Sequence, residues 1–295
     1  MKKKFNIFKI ITVSISFIFI TFLLIYFNQN KIGYFDFAQS NDELKTISEK
    51  SLSLENINNI NFDVNIDNIK FLQSNKNEIK IVEKSNKDFH EKININVNNN
   101  SLDIYREKVE NLNANSFGDS FYRELIIYLP QNYKENVNIN TYLGDINFNL
   151  DLNLKNIKIN LSTGDINFNN SINCNSLILE GVSGDFYINT LECDNYGISL
   201  NTGYINIHNL YGGGYINSTH GDINLNLYSL TKNSHIYSSN GNINLNINKN
   251  FKDLINASSD VGKIKNDFKI NDKINSSNTL NIKSGSGDIS INKNY

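Results

Sequence analysis

Asn160-Leu161-Ser162-Thr163-Gly164-Asp165-Ile166-Asn167-Phe168, followed by Glu180-Gly181-Val182-Ser183-Gly184-Asp185-Phe186-Tyr187-Ile188, is the stretch that decides the fold. Each copy places a Ser/Thr-Gly-Asp turn ahead of apolar residues that alternate with polar ones. Such alternation is the mark of a strand with one buried face. The glycine recurs as Gly144, Gly164, Gly184, Gly203, Gly221 and Gly241, in steps of 20, 20, 19, 18 and 20 residues. Gly262 and Gly287 extend the series by 21 and 25. A near-constant period built from strand residues means stacked coils, each burying its apolar face against its neighbours. The expected fold is all-β, a single-domain parallel β-solenoid with about 20 residues per rung.

Aligning the copies on the glycine gives each column a chemistry. Two places after it stand Ile146, Ile166, Phe186, Ile205, Ile223, Ile243, Ile264 and Ile289, and four places after it Phe148, Phe168, Ile188, Ile207, Leu225, Leu245 and Ile291. These predict an interior filled by equivalent residues. Gly144, Gly164, Gly184, Gly203, Gly221, Gly241 and Gly287 are read as structural turn residues, since glycine supplies positive φ at no steric cost. Outward positions carry Asn147, Asn167, Asn206, Asn224 and Asn244 in one column and Asn149, Asn169, Asn189, Asn226 and Asn246 in another. Stacked amides can bond along such a column. A general bias toward Asn, Ile, Lys and Tyr is the competing explanation.

The N-terminus has a different composition. Lys2, Lys3 and Lys4 precede an apolar run from Ile7 to Phe27, long enough to span a bilayer, with the lysines held on the cytoplasmic side. Asn28-Gln29-Asn30-Lys31 is a poor cleavage context, so an uncleaved anchor is expected rather than a removed signal peptide. The expected layout is a cytoplasmic tail over 1–6, a transmembrane helix over 7–27, a linker over 28–47, irregular β rungs or a cap over 48–136, and regular repeats over 137–295. Within 48–136, Ile60 to Ile66, Ile79 with Ile81, Ile93 to Val97, Leu102 with Ile104, and Leu125 to Leu129 are candidate strands, and Glu110 to Asp119 reads as an exposed loop. Pro130, the only proline, closes the last of these strands because it lacks an amide donor.

A formal net charge of -2 provides no basic field for nucleic acid. Asp145, Asp165 and Asp185 follow successive turn glycines and should stack about 5 Å apart, within reach of a bridging calcium ion. Turn chemistry accounts for the same column, because Asp bonds the local backbone wherever such a turn occurs. An enzyme needs one differentiated pair, and this Asp recurs. No catalytic residue, metal or cofactor is therefore assigned. Cys174 and Cys193 occupy the same phase of adjacent repeats, as a candidate disulfide or as stacked buried thiols. Tyr204, Tyr211, Tyr215 and Tyr237 offer an aromatic strip for sugar stacking, with core or scattered surface positions as the plainer reading.

A strand ending in Tyr128-Leu129-Pro130, a short polar spacer, and then glycine-punctuated Gly-Asp-Ile units resembles the bacterial domain-of-unknown-function family called "putative adhesin", whose membrane-anchored members include LiaG-like proteins of envelope-stress operons. The similarity runs from about Ile57 to Asn292 and departs from the pattern at Gly203-Tyr204, Gly241-Asn242 and Gly262-Lys263. The resemblance implies a surface β-solenoid. Together these readings lead to a non-enzymatic cell-envelope module, single-pass and displayed outside the membrane. Its expected partners are the membrane and a cell-wall polymer, a host surface or a neighbouring membrane protein. The alternatives are a carbohydrate-active β-helix enzyme and an accessory sensor of a membrane signalling partner.

Overall fold

Ile139, Ile159, Leu179, Ile198, Ile216, Ile236 and Ile282 form one continuous ladder, each in register with the next on parallel strands and each almost wholly buried. This is the burial that a coil of alternating residues can achieve only by stacking on another coil. The computed structural model describes residues 44–86, 92–107, 122–268 and 278–294, within a compact unit spanning Asp42–Tyr295. The expected tail over 1–6, the helix over 7–27, residues 28–43 of the linker and the Glu110–Asp119 loop lie outside the described residues. Those described are all-β, with strands from Lys45–Ser53 to Ile289–Asn294 and no helix. The first strand starts at Lys45 rather than at Ser48.

Ten coils stack among the described residues, and their order along the stack differs from their order in the chain. Rung 59–74 is sandwiched between the coil formed by strands Ser101–Tyr105 and Arg123–Pro130 on one side and rung 136–149 on the other. Rungs 156–168, 176–188, 195–207, 214–227 and 234–248 then follow in sequence. At the far end the order inverts again: rung 279–294 pairs with rung 234–248, and rung 254–266 packs outside it. Gly287 therefore stacks on Gly241, and Gly262 on Gly287. The series read from the sequence as 241, 262, 287 is spatially 241, 287, 262. Ile289 is consequently interior and fully buried, whereas Ile264, in the outermost described coil, is 44% exposed.

Among the described residues, antiparallel strands occur only at the opposite end. Lys45–Ser53 pairs with Glu78–Ser85, which pairs with Arg123–Pro130, and Asn94–Asn98 forms a hairpin with Ser101–Tyr105. Strand Asn68–Ser74, not singled out from the sequence, is the second half of the first regular coil. Its Phe71 ring stacks on Phe148 at 4.4 Å, and Phe148 on Phe168 at 4.4 Å. Identical aromatics on successive rungs thus pack face to face, which adds to the area they bury.

The turn fixes the spacing. Gly144, Gly164, Gly184, Gly203 and Gly221 have positive φ, between 126° and 142°. A Cβ on Gly184 would also fall on the carbonyl oxygen of Gly164, and one on Gly164 on that of Gly144. Gly241 and Gly287 lie outside the positive-φ range, yet a Cβ there meets the carbonyl of Gly221 or Gly241 in the same way. Space demands glycine at every one of these turns, and from Gly144 to Gly221 conformation demands it as well. Gly184→Ala is expected to cost about 2–3 kcal/mol, a fall in Tm of about 5–10 °C. Thermal melting checks this, and an unchanged Tm would contradict it.

Candidate functional site

The Asp or Asn that follows a turn glycine performs one repeated task. The Asp165 N–H donates to Asp145 Oδ1 at 2.9 Å, Asp185 N–H to Asp165 Oδ1 at 2.7 Å, and Tyr204 N–H to Asp185 Oδ1 at 2.8 Å. Further along, Asn242 N–H donates to Asp222 Oδ1, Asp288 N–H to Asn242 Oδ1, and Lys263 N–H to Asp288 Oδ1. At the near end Asn68 Oδ1 accepts the Asp145 N–H at 2.7 Å. Each side chain thus caps the backbone of the next coil, and Asp or Asn serves equally because only Oδ1 is used. The departures from Gly-Asp now have reasons. Asn242 keeps the acceptor, and Lys263 stands in the outermost coil, with no further coil to cap among the described residues. Among the described residues Tyr204 alone breaks the chain of caps, since its oxygen lies at the far end of a ring and does not reach the next turn amide as a carboxylate oxygen does.

Electrostatics match this role. Burial pushes the Asp165 carboxyl above its ordinary pKa, and Asp145 and Asp185 on either side add repulsion, while the Asp185 N–H works in the opposite direction. Among the described residues no group of three or more His, Cys, Asp or Glu side chains is arranged to hold a metal ion. The carboxylates of the column point their Oδ1 atoms at peptide nitrogens.

Cys174 and Cys193 are in register on adjacent rungs, both buried, as free thiols with their sulfurs 3.0 Å apart. Cys174 donates to Cys193, and that bond together with burial pushes the Cys174 thiol well above its ordinary value. The Cys193 thiol donates in turn to the Asn195 carbonyl at 3.2 Å.

A buried ionic cluster was not evident from the sequence. Asp67 stands where later coils have glycine, and its carboxylate is gripped by Arg106 through Nε at 2.8 Å and Nη2 at 2.7 Å. Arg106 Nη2 also contacts Glu83 Oε1 at 2.6 Å, and Arg123 Nε lies 3.8 Å from Asp67. The Glu83 carboxylate also accepts the Ile93 N–H at 3.2 Å. Two cations face two anions, with Arg106 bidentate on Asp67, which makes the cluster a lock between the first two coils. Aligning 59–74 on the repeats would have placed Asp67 in the turn column. Its partners Arg106 and Arg123 are 39 and 56 residues away in the chain and carry no sequence signal.

The outer surface supplies the remaining candidates. Amides bond from coil to coil, as in Asn167 to Asn147 at 3.1 Å, Asn224 to Asn206 at 2.9 Å and Asn244 to Asn224 at 2.8 Å. An open groove of about 400 Å³ crosses four coils beside Asn65, Tyr142, Asn160 and Val182. Of the aromatic strip, Tyr211 stacks on Tyr228 at 4.9 Å and Tyr204 sits in the turn column, while Tyr215 and Tyr237 share one face. His208, His220 and His235 stand in separate columns, and His90 lies outside the described residues.

The chain belongs to the Toastrack DUF4097 family, whose sequence profile matches residues 57–292. Solved structures similar to it include a "putative adhesin" from Bacteroides fragilis NCTC 9343, with 15% identity over 85% of this chain and 98% of that one and a TM-score of 0.48. A "putative lipid binding protein" from Parabacteroides distasonis ATCC 8503 shares 14% identity over 86% and 98% of the two chains, with a TM-score of 0.43. A "putative cell adhesion protein" from Clostridium sporogenes ATCC 15579 shares 15% over 85% and 100%, with a TM-score of 0.35. No curated protein matches the chain.

The capping column gives a test with a defined sign. A folded-state pKa raised above the unfolded one means that ionised Asp165 subtracts from stability at neutral pH, and that this penalty fades as pH falls through the raised value. Asp165→Asn keeps the acceptor and removes the charge. It is expected to melt above the parent at pH 7, with the gain shrinking as pH falls through the raised value and gone below about pH 4. Asp165→Ala removes the cap and should melt below Asp165→Asn by about 2–4 °C. Equal melting of the two variants at pH 7 would contradict the capping role. For the ionic lock, Asp67→Ala leaves buried arginines without their main counter-charge and should cost about 3–5 kcal/mol, read by denaturant unfolding. A loss under about 1 kcal/mol would assign it to the weak surface class.

Proposed function

We propose that this Toastrack-family chain is a non-enzymatic surface module of a bacterial cell envelope, an adhesin-like solenoid held by a single N-terminal span and displayed outside the membrane. The observation that carries this reading is the use made of its recurring carboxylates: Asp145, Asp165, Asp185, Asp222 and Asp288 each spend Oδ1 on the backbone of the next coil. A column that repeats one structural bond on coil after coil supports a scaffold rather than a reacting centre, which would differentiate one pair of groups. What such a scaffold offers is an extended face of repeated amides, hydroxyls and aromatics.

The membrane part of the proposal is supported by Lys2, Lys3 and Lys4 ahead of the apolar run Ile7 to Phe27. Among the described residues no helix is long and apolar enough to cross a membrane. The anchor therefore has to be tested directly. Full-length protein carrying a C-terminal epitope, produced in a bacterial host, is expected to remain in the membrane pellet after carbonate washing. External protease should remove the epitope from intact protoplasts. A carbonate-soluble protein, or an epitope cleaved only after lysis, would overturn the proposal.

A further inference from the structure

One outward column departs from the pattern of Asn, Ser and charged side chains. Ile178, Gly197, Tyr215, His235 and Asn281 are in register on successive coils. Gly197 points outward by its phase, yet it is buried. The cause is Tyr215. A Cβ on Gly197 would stand 2.7 Å from Cζ and Oη of Tyr215 and 3.0 Å from Cε1, so the phenol end of the ring is laid across the bare backbone of its neighbour. Its other side stays open, with Tyr215 43% exposed. The glycine has made a seat for a ring.

The surroundings of that ring are uncharged in the main. His235 is exposed beside it, and Tyr237 follows two residues on, 37% exposed and in register with Asn217, which is itself in register with Ser199. None of Gly197, Ser199, Tyr215, Asn217 and Tyr237 is a carboxylate or an ammonium group. Glu180 and Lys283 lie at the two ends of the Ser199–Asn217–Tyr237 column, and Lys283 is paired with Asp260 at 3.3 Å. Tyr215 and Tyr237, one coil apart and offset by two residues, are diagonal neighbours about 7–8 Å apart at the backbone.

We propose that Tyr215 and Tyr237 form a stacking platform for a neutral glycan, with Ser199, Asn217 and His235 bonding its hydroxyls. A sugar ring has an apolar C–H face and a polar rim. An aromatic ring pinned against the sheet offers the matching flat surface without the entropy loss of ordering a free side chain. Amides and hydroxyls in the flanking column match the rim. A charged polymer would meet no cluster of counter-charges at the two rings, since Glu180 stands alone at one end of the column and Lys283 is paired at the other, and a protein partner would need a larger apolar patch than two tyrosine rings provide. The inference rests on the surface-module reading above, which places this face where glycans occur.

The test uses full-length protein in detergent and three immobilised probes, cellohexaose, mannohexaose and chitohexaose, with Kd read by biolayer interferometry. At least one hexaose is expected to bind. Tyr215→Ala and Tyr237→Ala should each weaken it by about tenfold or more, as truncation of a central aromatic contact does, while Tyr215→Phe stays within about threefold. Tyr142→Ala, an exposed tyrosine several coils away, should leave Kd unchanged, and melting curves confirm that the variants are folded. Failure of all three hexaoses to bind, or binding indifferent to both alanine variants, would overturn the inference. So would capture of the protein by protein-coated but not by glycan-coated surfaces. A chain that binds hexaose but fails the protoplast assay refutes the display reading alone, and one that is displayed but ignores hexaose refutes the platform alone.

Discussion

At each turn the backbone of one coil rests on the carbonyl of the turn beneath it, closer than any side chain would permit. The described coils inherit their spacing from this contact. Gly164 sits on the Gly144 carbonyl and Gly184 on that of Gly164, and the contact continues to Gly287 on Gly241 and Gly262 on Gly287. Close approach brings the next requirement with it, because a peptide N–H held in the turn must find an acceptor. The Asp or Asn of the neighbouring coil supplies it. Glycine and acid are therefore two halves of one device, in which the first lets the backbones approach and the second satisfies what the approach leaves unpaired.

The rest of the interior follows from that spacing. Coils held in register place isoleucine on isoleucine and phenylalanine on phenylalanine, as in the Phe71–Phe148–Phe168 stack. Outward amides meet their counterparts at 2.7–3.1 Å through much of the column set. A compositional bias toward Asn would not by itself produce bonds of that length at equivalent positions. The ladders give each Asn a partner, which offsets its poor intrinsic preference for strands. At both ends of the described stack the outermost coil is out of chain order: strands Ser101–Tyr105 and Arg123–Pro130 lie outside the earlier rung 59–74, and rung 254–266 lies outside the later rung 279–294.

The regular coils were legible because one residue type marks each of them. Gly144 to Gly241, the alternating isoleucines and the inward phase of Cys174 and Cys193 all lie in local sequence. What was not legible lies where the marker changes or where order is decided by contacts. Asp67 replaces the glycine in the first coil, so strand Asn68–Ser74 lacks the marker although Ile69 and Phe71 alternate as the others do. Rungs 254–266 and 279–294 present equivalent faces, so periodicity is silent on which lies inside; burial of Leu280 and Ile282 decides it. The Asp column invited a metal reading because spacing shows how far apart carboxylates stand and not what their oxygens bond. Tyr215 was readable as an aromatic strip residue, but its seat depends on Gly197 in the preceding coil.

The capping bond between turns is directly observable. Trans-hydrogen-bond scalar coupling in deuterated, doubly labelled protein can link the amide nitrogen of Asp165 to the carboxyl carbon of Asp145, and that of Asp185 to Asp165. The account predicts both couplings, together with one from Asn242 to Asp222, and none from Asp222 to the tyrosine that precedes it in the column. Absence of the Asp165–Asp145 and Asp185–Asp165 couplings in a folded sample would contradict it.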